Sequence, residues 1–373
     1  MAALADAGRD ELAAYLALSQ IPGIGAARLR TIIAAFGSAG SALVAPHGAI
    51  AALPGFGPAA ATAVRAAGRR GGLEILRDLD RLGATTLIPG DSGYPPLLAE
   101  IPDPPAVLFV WGDAALLARP AAAIVGSRNH SPYGAEAARL LAAGIAPAAV
   151  VISGMARGLD AIAHTAALDA AGSTIGVLGN GFGVVYPAAN RALYERVATV
   201  GCLVTELPPG ERPRVSTFPR RNRIISGLAG VTVVVEAAVG SGALITADCA
   251  LDQGRSVLAV PGPITSPTST GCNKLIQQGA KPALCAADVL EELGITATRP
   301  AGDGPSAGTA RPQPTDLDDL QRSLWEALAT HAEHVDALVA WTGRGVGEVL
   351  TALTDLELRG LVAQQPGMIF ALA

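Results

Sequence analysis

The chain has 373 residues, enough for two or three domains of ordinary size. Half of them are hydrophobic, 4% are aromatic and 16% are charged, so cores of Ala, Val, Leu and Ile are expected and a mainly disordered chain is excluded. A formal charge of −5 excludes a uniformly basic coat for nucleic acid, which makes the position of each arginine matter more than their number.

Residues 1–80 are Ala-rich and helical in pattern, with a near-repeat: Ile21-Pro22-Gly23-Ile24-Gly25 and Leu53-Pro54-Gly55-Phe56-Gly57. Each P-G-x-G sits between helical segments. Glycine allows the tight turn, and the amides that open the next helix can hold a phosphate oxygen, as in helix-hairpin-helix DNA binders. An ordinary helix–helix connection explains the same residues equally well. Residues 81–120 read as a Pro-rich connection containing Tyr94-Pro95-Pro96 and Pro102-Asp103-Pro104-Pro105. From 120 to 295, apolar runs at 121–125, 149–152, 174–178, 231–235 and 256–260 alternate with amphipathic segments. Val and Ile without polar alternation predict strands buried on both faces, hence an α/β fold with a parallel sheet covered by helices.

Residues 297–316 are rich in Pro, Gly, Ala and Thr and read as a flexible linker. The tail, 317–373, predicts helices near 317–330, 334–341 and 346–360. A hairpin of Leu361-Val362-Ala363 and Ile369-Phe370-Ala371, turned at Pro366-Gly367, follows them. Three helices and a wing is the order of a winged helix.

Asp6, Arg9, Asp10 and Glu11 predict no secretory leader, and the Gly-rich stretch 170–190 reads as strand and loop, not as a membrane span. Cys202, Cys249, Cys272 and Cys285 are scattered, without a C-x-x-C pair or a histidine cluster. Reduced thiols, a cytoplasmic location and no metal or cofactor are therefore expected.

Small and polar residues follow the predicted strands: Gly126-Ser127-Arg128, Ser153-Gly154, Gly179-Asn180-Gly181 and Gly240-Ser241-Gly242. At the carboxyl ends of a parallel sheet they would line a crevice where a polyanion approaches backbone amides. No G-x-G-x-x-G follows the first strand and no P-loop occurs, so the usual dinucleotide and ATP readings fail. The segment 212–223 is the most informative, with five arginines (Arg212, Arg214, Arg220, Arg221 and Arg223), no acid, and Phe218 in their midst. Cations for phosphates beside a ring for base stacking suit single-stranded nucleic acid. A solvated charge run with Phe218 in the core is the plainer alternative, and Asn222 and Arg223 serve equally as structural residues. Asp160 and His164 share a helix face and could form an acid–base pair, although a brace for the glycine loop is the favoured role of Asp160. Glu236 is expected to orient backbone amides.

These residues also resemble a known family. Ile124-Val125-Gly126-Ser127-Arg128, Ser153-Gly154-Met155-Ala156-Arg157-Gly158-Leu159-Asp160 and Tyr186-Pro187-Ala188-Ala189-Asn190 are similar to strings of the DNA-processing protein A (DprA/Smf) family. So are Phe218-Pro219-Arg220-Arg221-Asn222-Arg223, Ser241-Gly242-Ala243-Leu244 and Gly271-Cys272-Asn273-Lys274-Leu275-Ile276. The resemblance implies a central extended Rossmann-like domain over 81–296, preceded by a helical (helix-hairpin-helix/SAM-like) domain over 1–80 and followed by the winged-helix domain. It further implies a non-enzymatic, homodimeric single-stranded DNA binder that protects incoming strands and helps load the RecA recombinase in natural transformation and homologous recombination. The candidate DNA site is Gly126, Ser127, Arg128, Gly154, Arg157, Arg214, Phe218, Arg220, Arg221, Asn222, Arg223, Ser241, Gly242 and Lys274. The family pattern places a Lys three positions before the Phe; Val215 stands there, with Arg214 the nearest cation. Leu275 and Ile276 are candidate dimer contacts or, equally, core residues.

Two other classes compete. A nucleotide N-glycoside hydrolase of the lysine-decarboxylase-like group would need P-G-G-x-G-T-x-x-E, but Val239–Thr246 is followed by Ala247, Asp248 and Cys249, without the Glu. A winged-helix transcription regulator would need a basic recognition helix, whereas 346–360 carries Glu348, Asp355 and Glu357 against Arg359.

Overall fold

The computed structural model describes residues 2–296, 317–328, 333–365 and 368–372, with the backbone alone for residues 2–7 and 365. The chain divides into two compact units, 1–298 and 299–373. The first is built on nine strands: β1 (Thr85–Leu87), β2 (Leu108–Gly112), β3 (Ala121–Val125), β4 (Val150–Ser153), β5 (Thr174–Val177), β6 (Cys202–Thr205), β7 (Val231–Val234), β8 (Ser256–Ala259) and β9 (Lys281–Pro282). Their order is β1-β2-β6-β5-β4-β3-β7-β8-β9. From β6 to β9 all pairings are parallel, whereas β2 runs antiparallel to both β1 and β6.

The five apolar runs become β3, β4, β5, β7 and β8. Along β3, Ala121, Ala123 and Val125 enter one core while Ala122 and Ile124 enter another, as the two-residue period of a strand covered on both faces requires. The first core is closed by Ile224, Ile225 and Leu228 of helix Thr217–Leu228 and by Ala243, Ala247 and Ala250 of helix Gly242–Asp252. The second is closed by Leu141 and Ile145 of helix Pro132–Ile145 and by Ala163 and Ala167 of helix Leu159–Asp169. The result is a Rossmann-like sheet. After β3 the chain winds outward through β4, β5 and β6, then returns to place β7 on the other side of β3. The topological switch point therefore lies beyond the carboxyl ends of β3 and β7.

The Pro-rich lead-in is more than a connection. It contributes β1 and β2, which extend the sheet beyond β6 on an antiparallel edge. The front helices also reach this edge: Ala13, Leu16, Leu76 and Leu79 share a core with Phe109 of β2 and Leu203 of β6. Residue 80 thus lies within helix Arg70–Leu82, inside one compact unit. Both P-G-x-G segments are turns, with Gly23 at φ +82° and Gly55 at φ +80°, a region that glycine enters without strain. Arg28 joins them, donating from Nη1 to Gly23 O at 2.9 Å while its guanidinium lies 5.9 Å from the Phe56 ring centre.

The second unit has helices Asp319–Leu328, Val335–Thr342 and Val346–Leu358 with strands β10 (Glu333–His334), β11 (Val362–Gln365) and β12 (Ile369–Leu372), all antiparallel in the order β10-β12-β11. Leu324, Trp325, Leu338, Leu353 and Phe370 fill its core, and the arrangement is a winged helix. The expected linker at 297–316 and the turn at Pro366-Gly367 lie outside the described residues. Among the described residues, no helix is long and apolar enough to cross a membrane.

Candidate nucleic-acid interface

Two adjoining clefts open at the switch point. The larger, about 440 Å³, is lined by Gly126, Ser127, Arg128, Asp160, Asn222, Ser241, Gly242 and Thr246 among others. The smaller, about 300 Å³, is lined by Gly154, Met155, Ala156, Arg157, Gly179, Asn180, Tyr186 and Pro187. Arg128, Phe218 and Arg221 face both. Four loops that follow β3, β4, β5 and β7 thus meet helix Thr217–Leu228, at the strand ends the sequence marked.

The loops are held rigidly from below. Arg221 is buried (6% exposed) and donates to the carbonyls of Gly154 and Val177. A Cβ at residue 154 would fall 1.6 Å from the Arg221 Nη1, so only glycine fits there. Met155 adopts φ +58°, an uncommon conformation for a side-chain-bearing residue, and Asn190 Nδ2 secures it by donating to the carbonyls of Met155 and Ala156 at 3.0 and 3.1 Å. Ser127 closes its own loop: its hydroxyl donates to Asn129 O at 2.8 Å and accepts from Asn129 N–H at 3.1 Å. Ser241 caps helix Gly242–Asp252 by accepting from Ala243 N–H, and buried Asn222 donates to Gly242 O at 3.2 Å.

Asp160 and His164 do not form an acid–base pair. Asp160 accepts from Ala156 N–H at 3.3 Å, which makes it a brace of the glycine loop. Burial pushes its carboxyl up, against the pull of the Arg221 guanidinium and that amide. His164 turns to Thr174: Thr174 Oγ1 donates to Val151 O, so the His164 Nδ1 at 2.7 Å is the donor to Thr174. Burial first, and the nearby Arg221 second, lower the His164 imidazole to about 3, so it is neutral near pH 7. Glu236 is also committed, accepting from Ser131 N–H at 2.8 Å and the Thr268 hydroxyl at 2.6 Å. Burial opposes its charge, but those hydrogen bonds prevail and hold its carboxyl below the usual range.

The arginine-rich segment divides. Arg221 is internal. Arg223, with its side chain 14% exposed, pairs with Glu206 at 2.5 Å and Asp103 at 3.2 Å, and Arg220 reaches Glu206 at 3.3 Å. Arg214 pairs with Glu211 at 2.8 Å. The segment lacks acids, but the fold supplies them. Neither Arg128 nor Arg157, both exposed, has a carboxylate partner among the described residues. The Arg128 guanidinium lies 5.4 Å from the centre of the Phe218 ring, within cation–π range. Lys274, exposed on helix Thr270–Gln277, lines neither cleft. Leu275 is a core residue (8% exposed) and Ile276 packs against the same core.

Residues 85–294 match the family described as DNA recombination-mediator protein A. The chain belongs to that family. Residues 308–368 match the winged-helix domain of the same family. Protein Smf of Escherichia coli is 43% identical over 287 residues, covering 75% of this chain and 76% of the relative. Protein Smf of Synechocystis is 33% identical over 96% of this chain and 98% of its own length. Among solved structures, the DNA processing protein A of Streptococcus pneumoniae superposes with a TM-score of 0.67 at 34% identity, covering 75% of this chain and 97% of that one. The Helicobacter pylori protein, whose structure is described as showing a single-stranded DNA binding mode, superposes with a TM-score of 0.51 at 28% identity over 56% of this chain and 95% of that one.

Sequence reasoning missed Tyr186 as a cleft residue and Glu206 as the acid that answers the arginines. Tyr186 was visible within a family string, but nothing local marks its ring as facing Phe218. Helical spacing did carry one usable signal. Phe218, Arg221, Asn222 and Ile225 fall at i, i+3, i+4 and i+7, the inward stripe that sets Arg221 apart from Arg220 and Arg223.

Proposed function

We propose that the protein binds single-stranded DNA in the switch-point clefts and acts as a recombination mediator that protects the strand and helps load RecA onto it, without catalysing a reaction. The observation that carries this reading is Arg128, an exposed guanidinium without a carboxylate partner among the described residues, held over an aromatic ring where backbone loops converge. Arg128 and Arg157 supply cations for phosphates, the loops at Gly126, Ser127, Gly154, Ser241 and Gly242 let the backbone approach closely, and the rings offer faces for bases. Arg214 and Arg220 are exposed enough to exchange their carboxylates for phosphates, while Arg221, Asn222 and Arg223 act as framework.

The family's description as a recombination mediator and the single-stranded DNA mode described for the Helicobacter pylori relative support the reading. Transfer to RecA, a homodimeric state and a cytoplasmic location belong to the same proposal and rest on the family resemblance. A proton-transfer role finds no support in the geometry, because Asp160, His164 and Glu236 all serve as internal braces.

Competition between single- and double-stranded oligonucleotides of equal length for the purified full chain tests the proposal. A tenfold or greater preference for the single strand is expected, with affinity falling as salt rises, on the order of tenfold-scale losses across physiological salt. A comparable preference for duplex would overturn it.

A further inference from the structure

Phe218 is the residue that the sequence marks as the stacking ring, yet it is the better covered of two rings in the smaller cleft. The Arg128 guanidinium stands 5.4 Å from its centre. On another side it lies against the Gly179 backbone, where an added Cβ would come within 3.0 Å of Phe218 Cδ1. Tyr186 has its ring centre 5.7 Å from that of Phe218, inclined at 39°, and is 45% exposed. Both rings face the same cleft, whose floor is the Gly154–Ala156 backbone and whose rim carries exposed Arg157.

We propose that Tyr186 is the base-stacking residue of this cleft, with Phe218 a positioning residue that holds Tyr186 and Arg128 in place. The ligand is an unpaired nucleobase of a DNA strand, so the inference rests on the single-strand reading above. The polar groups around the cleft explain why stacking, rather than base-edge recognition, is what it offers. Asn180 Nδ2 already donates to Val184 O at 2.7 Å and Gly181 O at 3.1 Å. The Thr217 hydroxyl is engaged with Gly179 O at 2.6 Å, and Arg221 with the carbonyls of Gly154 and Val177. With those donors occupied, the exposed face of Tyr186 accepts any of the four bases, since each presents a π-face. Arg157 at the rim then meets the adjoining phosphate.

The test uses the full chain with two probes of equal length and charge, an oligothymidine and an oligomer whose central positions are abasic. Tyr186→Ala is expected to lower affinity for the oligothymidine about tenfold, the usual order for losing one base–aromatic stack. Affinity for the abasic oligomer should be unchanged, and Tyr186→Phe should keep the wild-type value for both. Tyr186→Trp adds an optical readout that does not depend on the alanine variant folding: oligothymidine should quench its emission, and the abasic oligomer should not. Equal losses on both probes, or no loss on either together with no quenching, would overturn the role of Tyr186 while leaving the single-strand reading intact. Failure of the wild-type protein to bind the oligothymidine would overturn that reading itself, and this inference with it.

Discussion

Helix Thr217–Leu228 carries Arg220, Arg221 and Arg223, and its two sides treat them in opposite ways. Away from the cleft, Arg220 and Arg223 both meet Glu206, and Arg223 also meets Asp103, so positive charge there is cancelled within the protein. Toward the cleft, Arg221 is sealed beneath the glycine loop, and the exposed cations are Arg128 and Arg157, supplied by the loops after β3 and β4. A run of arginines therefore does not measure a positive field. Tertiary partners decide which guanidinium stays available for a phosphate, and among the described residues Arg128 and Arg157, without carboxylate partners, come from different parts of the chain.

The sharpest way to break this comparison is to swap the roles of Arg221 and Arg128. Arg221→Met leaves the carbonyls of Gly154 and Val177 without their donor and Asp160 without its neighbouring cation. Urea denaturation should show a loss of about 3–5 kcal/mol, the range for removing one partner from a buried charged network. A loss below about 1 kcal/mol would deny Arg221 its framework role. Arg128→Ala should do the reverse. Its unfolding free energy from urea denaturation should stay within about 0.5 kcal/mol of wild type, as for an ordinary surface change. Its affinity for single-stranded DNA should fall by about 1–3 kcal/mol, the scale of a charge-assisted contact. Unaltered affinity would remove Arg128 from the interface.

A smaller effect tests the neutral interior behind the glycine loop. His164 is lowered to about 3 in the folded chain against 6.5 when unfolded, so on acidification the unfolded state takes the proton first. Its contribution is complete above the unfolded value and is lost as pH falls through the window toward the folded value. Between pH 7 and pH 5.5 the loss should be about 1 kcal/mol. Asp160, raised by burial, titrates with the opposite sign, so the informative quantity is the difference between wild type and His164→Asn measured at both pH values. Parallel pH profiles for the two proteins would show that His164 is not held neutral. The smallest effect belongs to Arg220→Ala: its exposed pair with Glu206 should contribute less than about 1 kcal/mol to stability.

Much of the sheet was legible because β3, β4, β5, β7 and β8 are uninterrupted apolar runs, the mark of strands covered on both faces. β1 has three residues and β9 two, too short for any period to show, and β2 was concealed by the prolines before it. The four residues of β6, Cys202–Thr205, are separated from helix Arg191–Val200 by Gly201 alone and blend with its apolar end. The site was legible as a set of loops, since glycine and serine after buried strands reflect local backbone demands. Its electrostatics were not. Glu206 and Asp103 reach the arginines only through the sheet edge that β2 and β6 build, and a local window of sequence does not contain that edge.

Ultraviolet crosslinking of an oligothymidine to the full chain, with crosslinked residues read by mass spectrometry, locates the strand directly. Crosslinks are expected in the loop of Gly126–Arg128 and at Tyr186 and Phe218, and they should disappear in Arg128→Ala at matched protein concentration. Crosslinks confined to the front helices or to the winged helix, with none in those cleft segments, would contradict a strand held at the switch point.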